Sequence, residues 1–452
     1  MKVFKRKLYK KLLDWKASSR RKPLIIRGAR QVGKSTLVRL FSKEYKYYIE
    51  LNLERAQDKK NFDFDSAQLI MEAVLLRENM DFDTKPLLLF IDEIQESPRA
   101  IQMLRFFYED FPDVHVICAG SLLEHVLKDI NSFPVGRVQQ MVLHPFDFEE
   151  YLAAKGEDRV LKQLDEVPIK EFAHHVLLEK FHEYTIIGGM PEVVKTYIEN
   201  KTLTVIKEVY DEIWQSYKDD IEKYGRNLTE RKVIRHIIET APYEKDRITM
   251  AGFGNSNYKS REVGEALRAL DKSRLVLLMY PAINTKFPQE IDFKRKPRLQ
   301  FLDTGLLNYA LGIQAELLGL SDFSDFHRGR IIQQMIYQQV LSQHNEVGFQ
   351  AHFWVREKSN SNSEVDLVLP HEKNLIPVEI KSGPHGRLRS LFQFMEQVDH
   401  NFAIRLLANH WSLEDVTTTQ GKKFKLLNLP YYLSTRLENY AGWLVKPHQL
   451  LN

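Results

Sequence analysis

Between residues 23 and 155, short continuous apolar runs alternate with stretches whose apolar residues recur every three to four positions. The runs "PLIIR" (23–27), "KYYIELNL" (46–53), "PLLLFID" (86–92), "VHVICAG" (114–120) and "VQQMVLH" (138–144) predict strands. Helical stretches fall near 34–45, 66–79, 98–110 and 121–130. Strands that are apolar throughout are buried on both faces. The alternation therefore predicts an α/β fold, a parallel sheet with helices on both sides.

The pattern changes on either side of this core. Upstream, "MKVFKRKLYKKLLDWK" sets Val3, Phe4, Leu8, Leu12 and Leu13 at helical spacing, which predicts a basic amphipathic helix within 1–22 that packs on the sheet domain 23–155. Downstream, 156–225 reads helical, broken at "IIGGMPEVV" (186–194), where two glycines and a proline stop and restart the helix. Over 226–312, "ERKVIRHIIETA" and "KSREVGEALRALDKSRLVLLMYPA" give two helices, a strand pair and a basic loop, the pattern of a winged helix. The last segment, 320–452, opens with the helix "RIIQQMIYQQVLSQ" and continues with the strand candidates "FQAHFWVRE", "SEVDLVLP" and "NLIPVEIKS". The polar patch "KSNSNSE" (358–364) fits a hairpin turn between the first two.

Composition narrows the classes. A chain of 452 residues is long enough for about three domains. Its 65 basic residues against 61 acidic ones are too balanced to argue nucleic-acid binding by themselves. A single cysteine, Cys118, excludes a disulfide framework and fits a reducing cytoplasm. No run approaches the apolar length of a membrane span, and the start lacks the apolar core of a signal peptide. The expectation is a cytoplasmic protein with no membrane partner.

Candidate chemistry begins at "RGARQVGKST" (27–36), where Gly28, Gly33, Lys34 and Ser35 fill G-x-x-x-x-G-K-[ST] between a strand and a helix. That context makes it a phosphate-binding loop. Backbone N–H groups across Gly28, Ala29, Arg30, Gln31, Val32, Gly33, Lys34, Ser35 and Thr36 would cradle phosphate oxygens, helped by the helix N-terminus. Lys34 would reach the same oxygens and the Ser35 hydroxyl would ligate Mg2+. "LLLFIDEIQ" supplies the second half: an apolar strand delivers Asp92 at its carboxyl end to hold the metal through water. Glu93, adjacent and unpaired, is placed as a general base. Ser121, ending "VHVICAGS", is a candidate sensor of the γ-phosphate as well as a helix cap. Arg137, after a Pro-Val-Gly turn, is a candidate arginine finger in cis or across a subunit boundary, the latter requiring a homo-oligomer; Arg30 is a weaker alternative.

These motifs, with "GRVQQMVLHPFDFEEYL" and "GGMPEVV", resemble the AAA-type ATPases of bacteria and archaea that carry a C-terminal restriction-endonuclease-like domain of unknown function. The resemblance spans nearly the whole chain. It implies a P-loop NTPase sheet in which a third strand separates the P-loop strand from the acidic strand. By resemblance "VHVICAGS" is that strand, with Ser121 between the two motifs.

A second candidate lies in "EVDLVLPHEKNLIPVEIKSG". Residues two apart on a strand share a face, so Glu379 and Lys381 project together, with Asp366 on the neighbouring strand. This is the constellation of PD-(D/E)xK nucleases, whose carboxylates hold Mg2+. Where the resembling family places acidic residues on the preceding helix, this chain has Gln333 and Gln339 after Gly329. The site is one carboxylate short, which favours DNA binding or a structural role over cleavage. Lys259, Arg261 and Arg268 on the candidate recognition helix, with Lys294, Arg295, Lys296 and Arg298 in the wing, form a cationic cluster suited to DNA phosphates. The expectation is a Mg2+-dependent ATPase coupling nucleotide state to DNA or a partner. The alternatives are a nucleotide-gated DNA switch with slow hydrolysis and a metal-dependent nuclease.

Overall fold

The computed structural model describes residues 4–81, 86–121, 123, 133–220, 225, 227–314, 326–358, 361–381 and 388–446. The chain forms two compact units: residues 1–145 with 269–275 and 344–349, and residues 146–268, 276–343 and 350–452. No helix among the described residues is long and apolar enough to cross a membrane.

The first unit is built on β1 (Leu24–Arg27), β2 (Tyr47–Asn52), β3 (Leu87–Asp92), β4 (Val114–Ala119) and β5 (Gln139–Val142). They lie in the order β2-β3-β4-β1-β5, and every neighbouring pair is parallel. The five strands and their common direction are those the apolar runs predict. All six residues of β3 are buried, because helices cover both of its faces. Those helices include α1 (Leu8–Ala17), α2 (Lys34–Phe41), α3 (Ala67–Arg77) and α4 (Pro98–Asp110). Ser97 caps α4 by accepting from Ala100 N at 3.2 Å, with Pro98 at the first helical position. Helix α1 buries Leu8, Leu12 and Trp15. The exposed edge of β5 is sealed by the segment around Asn345, which exchanges hydrogen bonds with Val142 at 2.8 and 2.9 Å. The helix expected over 121–130 falls, apart from Ser121 and Leu123, outside the described residues.

In the second unit, helices α5 (Phe148–Lys155), α6 (His174–Ile187), α7 (Pro191–Asn200), α8 (Leu203–Asp219), α9 (Leu228–Thr240) and the first part of α10 (Ser260–Ser273), up to Arg268, precede the antiparallel pair β6 (Val276–Met279) and β7 (Arg298–Phe301). After α11 (Thr304–Leu311) and α12 (Phe326–Ser342) come β8 (His352–Lys358), β9 (Ser361–His371) and β10 (Asn374–Ile380). The tip of the expected turn between β8 and β9 lies outside the described residues. The sheet continues with β11 (Phe402–Leu407), β12 (Ser412–Thr417) and β13 (Lys423–Pro430) in the order β12-β13-β11-β10-β9-β8. Helices α13 (Arg389–Met395) and α14 (Leu437–Val445) complete the unit. Its core is centred on Trp354, Leu375, Leu391, Phe394 and Phe424. The last three strands go beyond the three that the sequence suggests, since short apolar runs do not by themselves separate strand from helix.

The glycine pair between α6 and α7 has a packing explanation. Gly188 has φ 74°, a region that favours glycine, and Gly189 N donates to the buried Asp303 carboxylate at 2.6 Å. The same carboxylate caps α11 by accepting from Leu306 N at 3.0 Å.

Candidate nucleotide site

The loop after β1 folds back sharply, with φ 149° at Gly28, 63° at Gln31 and 93° at Gly33. A Cβ on Gly28 would stand 2.3 Å from the Leu143 carbonyl oxygen, so only glycine fits between loop and sheet. Gly33 precedes the first residue of α2, which opens at Lys34. The loop is also braced from the basic arm, a contact that charge patterning alone does not reveal. Arg6 donates from Nη1 to Val32 O at 2.9 Å and from Nη2 to His144 O at 2.6 Å.

Lys34 is buried, and its Nζ donates to the loop's own carbonyls, Gly28 O at 3.0 Å and Ala29 O at 2.8 Å. Burial pushes its pKa down to about 8, a shift that the nearby Glu93 and Asp92 carboxylates partly oppose. Asp92 is delivered by β3, where it is buried at the carboxyl end of the strand. Burial holds the Asp92 pKa above the usual carboxylate value, and the nearby Ser35 hydroxyl only partly offsets this. The two residues expected to share a metal are therefore neighbours.

Glu93 adopts the left-handed conformation, φ 51° and ψ 46°, and its N–H donates to Asp92 Oδ1 at 3.1 Å. The unpaired glutamate of the sequence reading is not what is found: Gln95 Nε2 donates to Glu93 Oε2 at 2.5 Å. Strand β4 lies between β1 and β3, so Ser121 follows the strand that separates the P-loop from Asp92. Arg30, within the loop, is close enough to Lys34 to contribute to the lowering of its pKa.

Arg137 is not brought to this site. The β1–β5 register pairs Leu24 with Gln139 and Arg27 with Val142, so the two strands start at the same edge. Arg137 precedes β5, and the P-loop follows β1, leaving a strand of about 13 Å between them at ~3.3 Å per residue. The Arg137 Nε instead meets Glu109 Oε1 at 2.9 Å, near the end of α4. A finger acting on the same chain's phosphates is excluded by this topology, and only contact across a subunit boundary is left to this residue.

In the second unit, β9 and β10 do place Asp366, Glu379 and Lys381 together. Asp366 Oδ2 accepts from Ile380 N at 2.9 Å, and Lys381 Nζ lies 2.5 Å from Glu379 Oε1. The cluster is also tied into an ion-pair network. Arg298, expected in a DNA-facing wing, has its guanidinium against Glu364 and 3.3 Å from Asp366. Gln333 Nε2 donates to Asp366 Oδ1 at 2.7 Å, supplying a donor where a metal ligand was sought. Gln339 is turned elsewhere and accepts from Phe148 N at 2.7 Å. Burial, reinforced by the Asp366 charge, raises the Glu379 pKa, although Lys381 opposes it. Among the described residues, no group of three or more His, Cys, Asp or Glu side chains is placed to hold a metal. In this structure the negative charge at the second candidate site is met by a guanidinium and an amide.

Residues 20–152 match the family model of an AAA domain. Residues 178–317 and 328–432 match two domains of unknown function, DUF8612 and DUF4143. None of the curated proteins matches the chain. Among solved structures, the Walker-type ATPase PABY2304 of Pyrococcus abyssi is similar at 15% identity, covering 68% of this chain and 96% of that one, with a TM-score of 0.46. The RuvB Holliday junction branch migration motor of Thermotoga maritima is similar at 15% identity over 64% of this chain and 93% of its own, with a TM-score of 0.28. Likenesses this faint carry no argument. The family match coincides with the parallel sheet and its P-loop, and the amino-terminal part of this chain carries an AAA domain.

Proposed function

We propose that the first unit binds ATP with Mg2+ and hydrolyses it. The observation that carries this reading is the placement of Lys34 and Ser35, at the start of the helix after the P-loop, beside Asp92 at the end of the acidic strand. The residues fit a metal–triphosphate. A buried carboxylate whose pKa burial has raised gains from a nearby cation. Lys34, held by two loop carbonyls, has a stronger partner in a phosphate oxygen. Ser35 and Asp92 would hold Mg2+, which when bound neutralises charge on the β- and γ-phosphates. Ala29, Arg30, Gln31 and Val32 supply loop backbone around those phosphates. Glu93 orients a water and takes its proton as the water oxygen bonds to the γ-phosphorus and ADP departs. Ser121 contributes a hydroxyl beside the γ-phosphate.

Calorimetric titration of the full-length protein with ATP and with GTP, each with Mg2+, tests the binding, and phosphate release tests turnover. The parent protein is expected to bind and to turn over, and folded Lys34→Ala to do neither. Absence of uptake by the folded parent protein ends this reading.

A coupling to DNA rests on the exposed cations Lys259, Arg268, Lys294 and Lys296 in the second unit. Of the rest of the predicted patch, Arg261 pairs with Glu265 at 2.9 Å, Arg295 with Asp292 at 3.1 Å, and Arg298 is committed to Asp366. We infer that phosphate contact runs through those four residues. Duplex affinity flat between 50 and 200 mM salt excludes it, because each phosphate contact displaces counterions (a span in which six to ten contacts lose about 10³–10⁵ in affinity).

A further inference from the structure

Gln95 has no role in the chemistry assigned so far, yet its placement is specific. It lies in the short helical turn Ile94–Glu96, directly after the left-handed Glu93, and it is 8% exposed. Its Nε2 is 2.5 Å from Glu93 Oε2. Its Oε1 is buried with no hydrogen-bond partner among the described residues. That oxygen faces the end of β4, where a Cβ on Gly120 would come within 2.4 Å of it.

The orientation of the amide follows from charge. Reversed, it would set its carbonyl oxygen against a carboxylate oxygen, and two acceptors at that distance repel. The amide is therefore fixed at one end by Glu93, and at the other it rests on a glycine that leaves it room. A buried polar atom without a partner costs about 1–3 kcal/mol. The arrangement gives up an acceptor's hydrogen bond in order to present the donor to Glu93.

We infer that Gln95 is the positioning residue of Glu93, orienting the carboxylate that takes the proton from water and tying it to the tip of β4 through contact with Gly120. This rests on the ATPase reading proposed above. A bond between neighbouring side chains would matter for two reasons. A glutamate on a left-handed turn has several rotamers, and a general base works only within hydrogen-bond reach of its water. The strand tip that Gln95 touches runs into Ser121, so a shift of that tip would be passed to the base.

The test uses the full-length protein and two variants that reach the same contact by different routes. Gln95→Met keeps the bulk and removes the donor. Gly120→Ala drives a methyl into Oε1 and displaces the amide while leaving both carboxylates intact. Each is expected to lower kcat about 10- to 100-fold and to leave the dissociation constant for a fluorescent ATP analogue within about threefold. Each is then combined with Glu93→Gln and measured under single turnover. A residue acting only through Glu93 adds no further loss in that background, whereas a residue that merely supports the fold lowers both rates. A kcat within twofold of the parent, an equal loss in the Glu93→Gln background, or a parallel loss of affinity overturns the inference. If the parent binds ATP but never turns over, both the ATPase reading and the role of Gln95 fall; if the parent turns over and these variants match it, only the latter does.

Discussion

The Arg298 guanidinium stands 3.3 Å from the Asp366 carboxylate, although the sequence places one in a basic loop and the other in a candidate metal site. The guanidinium also reaches Glu364, donates to the Tyr337 hydroxyl at 2.8 Å and lies 4.6 Å from the centre of the Phe353 ring. Its side chain is 11% exposed, so water does little of the solvation. An arginine here combines three recognitions that a lysine cannot: a planar fork for two carboxylates, a donor for a phenol and a flat cation over a ring.

Removing that cation takes from Asp366 and Glu364 the guanidinium they share. Arg298→Met is expected to destabilise the second unit by about 3–5 kcal/mol, the usual cost of breaking a buried pair from one side. Arg298→Lys keeps the charge and loses the fork, so it should fall between Met and the parent. Urea unfolding followed by fluorescence ranks the three. A change below about 1 kcal/mol for Met would show that Arg247, 3.3 Å from Glu364 on its other side, carries the balance instead.

At the nucleotide site, Glu93→Gln keeps the shape and removes the ability to accept a proton. ATP binding is expected to persist within about threefold, while turnover falls by about 10² or more, in line with loss of a general base. The Gln95 amide retains an acceptor in the new side chain, so the site should not collapse. Phosphate release at the parental rate would move the base elsewhere.

How much of this was readable in advance depends on how local each signal is. The five strands of the first sheet were legible because each is a short apolar run between helical stretches, and β3 is buried along its whole length. Gly28, Lys34 and Ser35 lie within one loop, and Asp92 ends an apolar strand, so their meeting was expected. Arg298 and Asp366 are 68 residues apart, and no periodicity pairs a cation in one element with a carboxylate in another. Arg137 was misplaced for a different reason: residue order gives the turn, but only the strand direction tells which edge of the sheet the turn occupies. Gln95 escaped notice because an amide beside a carboxylate is unremarkable until its burial is known.

The glycine pair yields a packing prediction. A Cβ on Gly189 would lie 2.1 Å from Phe146 O and 2.9 Å from Phe146 N, and both atoms belong to backbone that cannot swing aside. Gly189 also exchanges a hydrogen bond with that residue, Phe146 N donating to Gly189 O at 2.7 Å. Gly189→Ala should therefore cost about 1–3 kcal/mol or more, the range of overpacking in a well-filled interior. The effect should appear as a lower unfolding midpoint, and an unchanged midpoint would mean that the α6–α7 junction relaxes freely.

Acid stability turns on His115, which is 8% exposed on β4 between the rings of Trp15 and Tyr45. Its Nδ1 lies 2.6 Å from the Tyr45 hydroxyl, a hydrogen bond whose direction follows the ring's tautomer. Burial first, then the cations Arg21 and Lys16, push its pKa down to about 4, with Asp113 alone opposing. The folded state thus resists a proton that the unfolded chain takes up near pH 6.5. Stability is complete above that pH and is lost as the pH falls from 6.5 toward 4. At pH 5 the loss from this group is about 2 kcal/mol, since each pH unit within the window is worth about 1.4 kcal/mol. His115→Phe keeps the ring contacts and removes the titration. At pH 8 it should be less stable than the parent by about 1 kcal/mol, the worth of the lost Tyr45 bond. As the pH is lowered to 5 the two should converge and then cross. Denaturation series at pH 8, 6.5 and 5 would reveal the crossing, and parallel curves for the two proteins would place the acid sensitivity in another group.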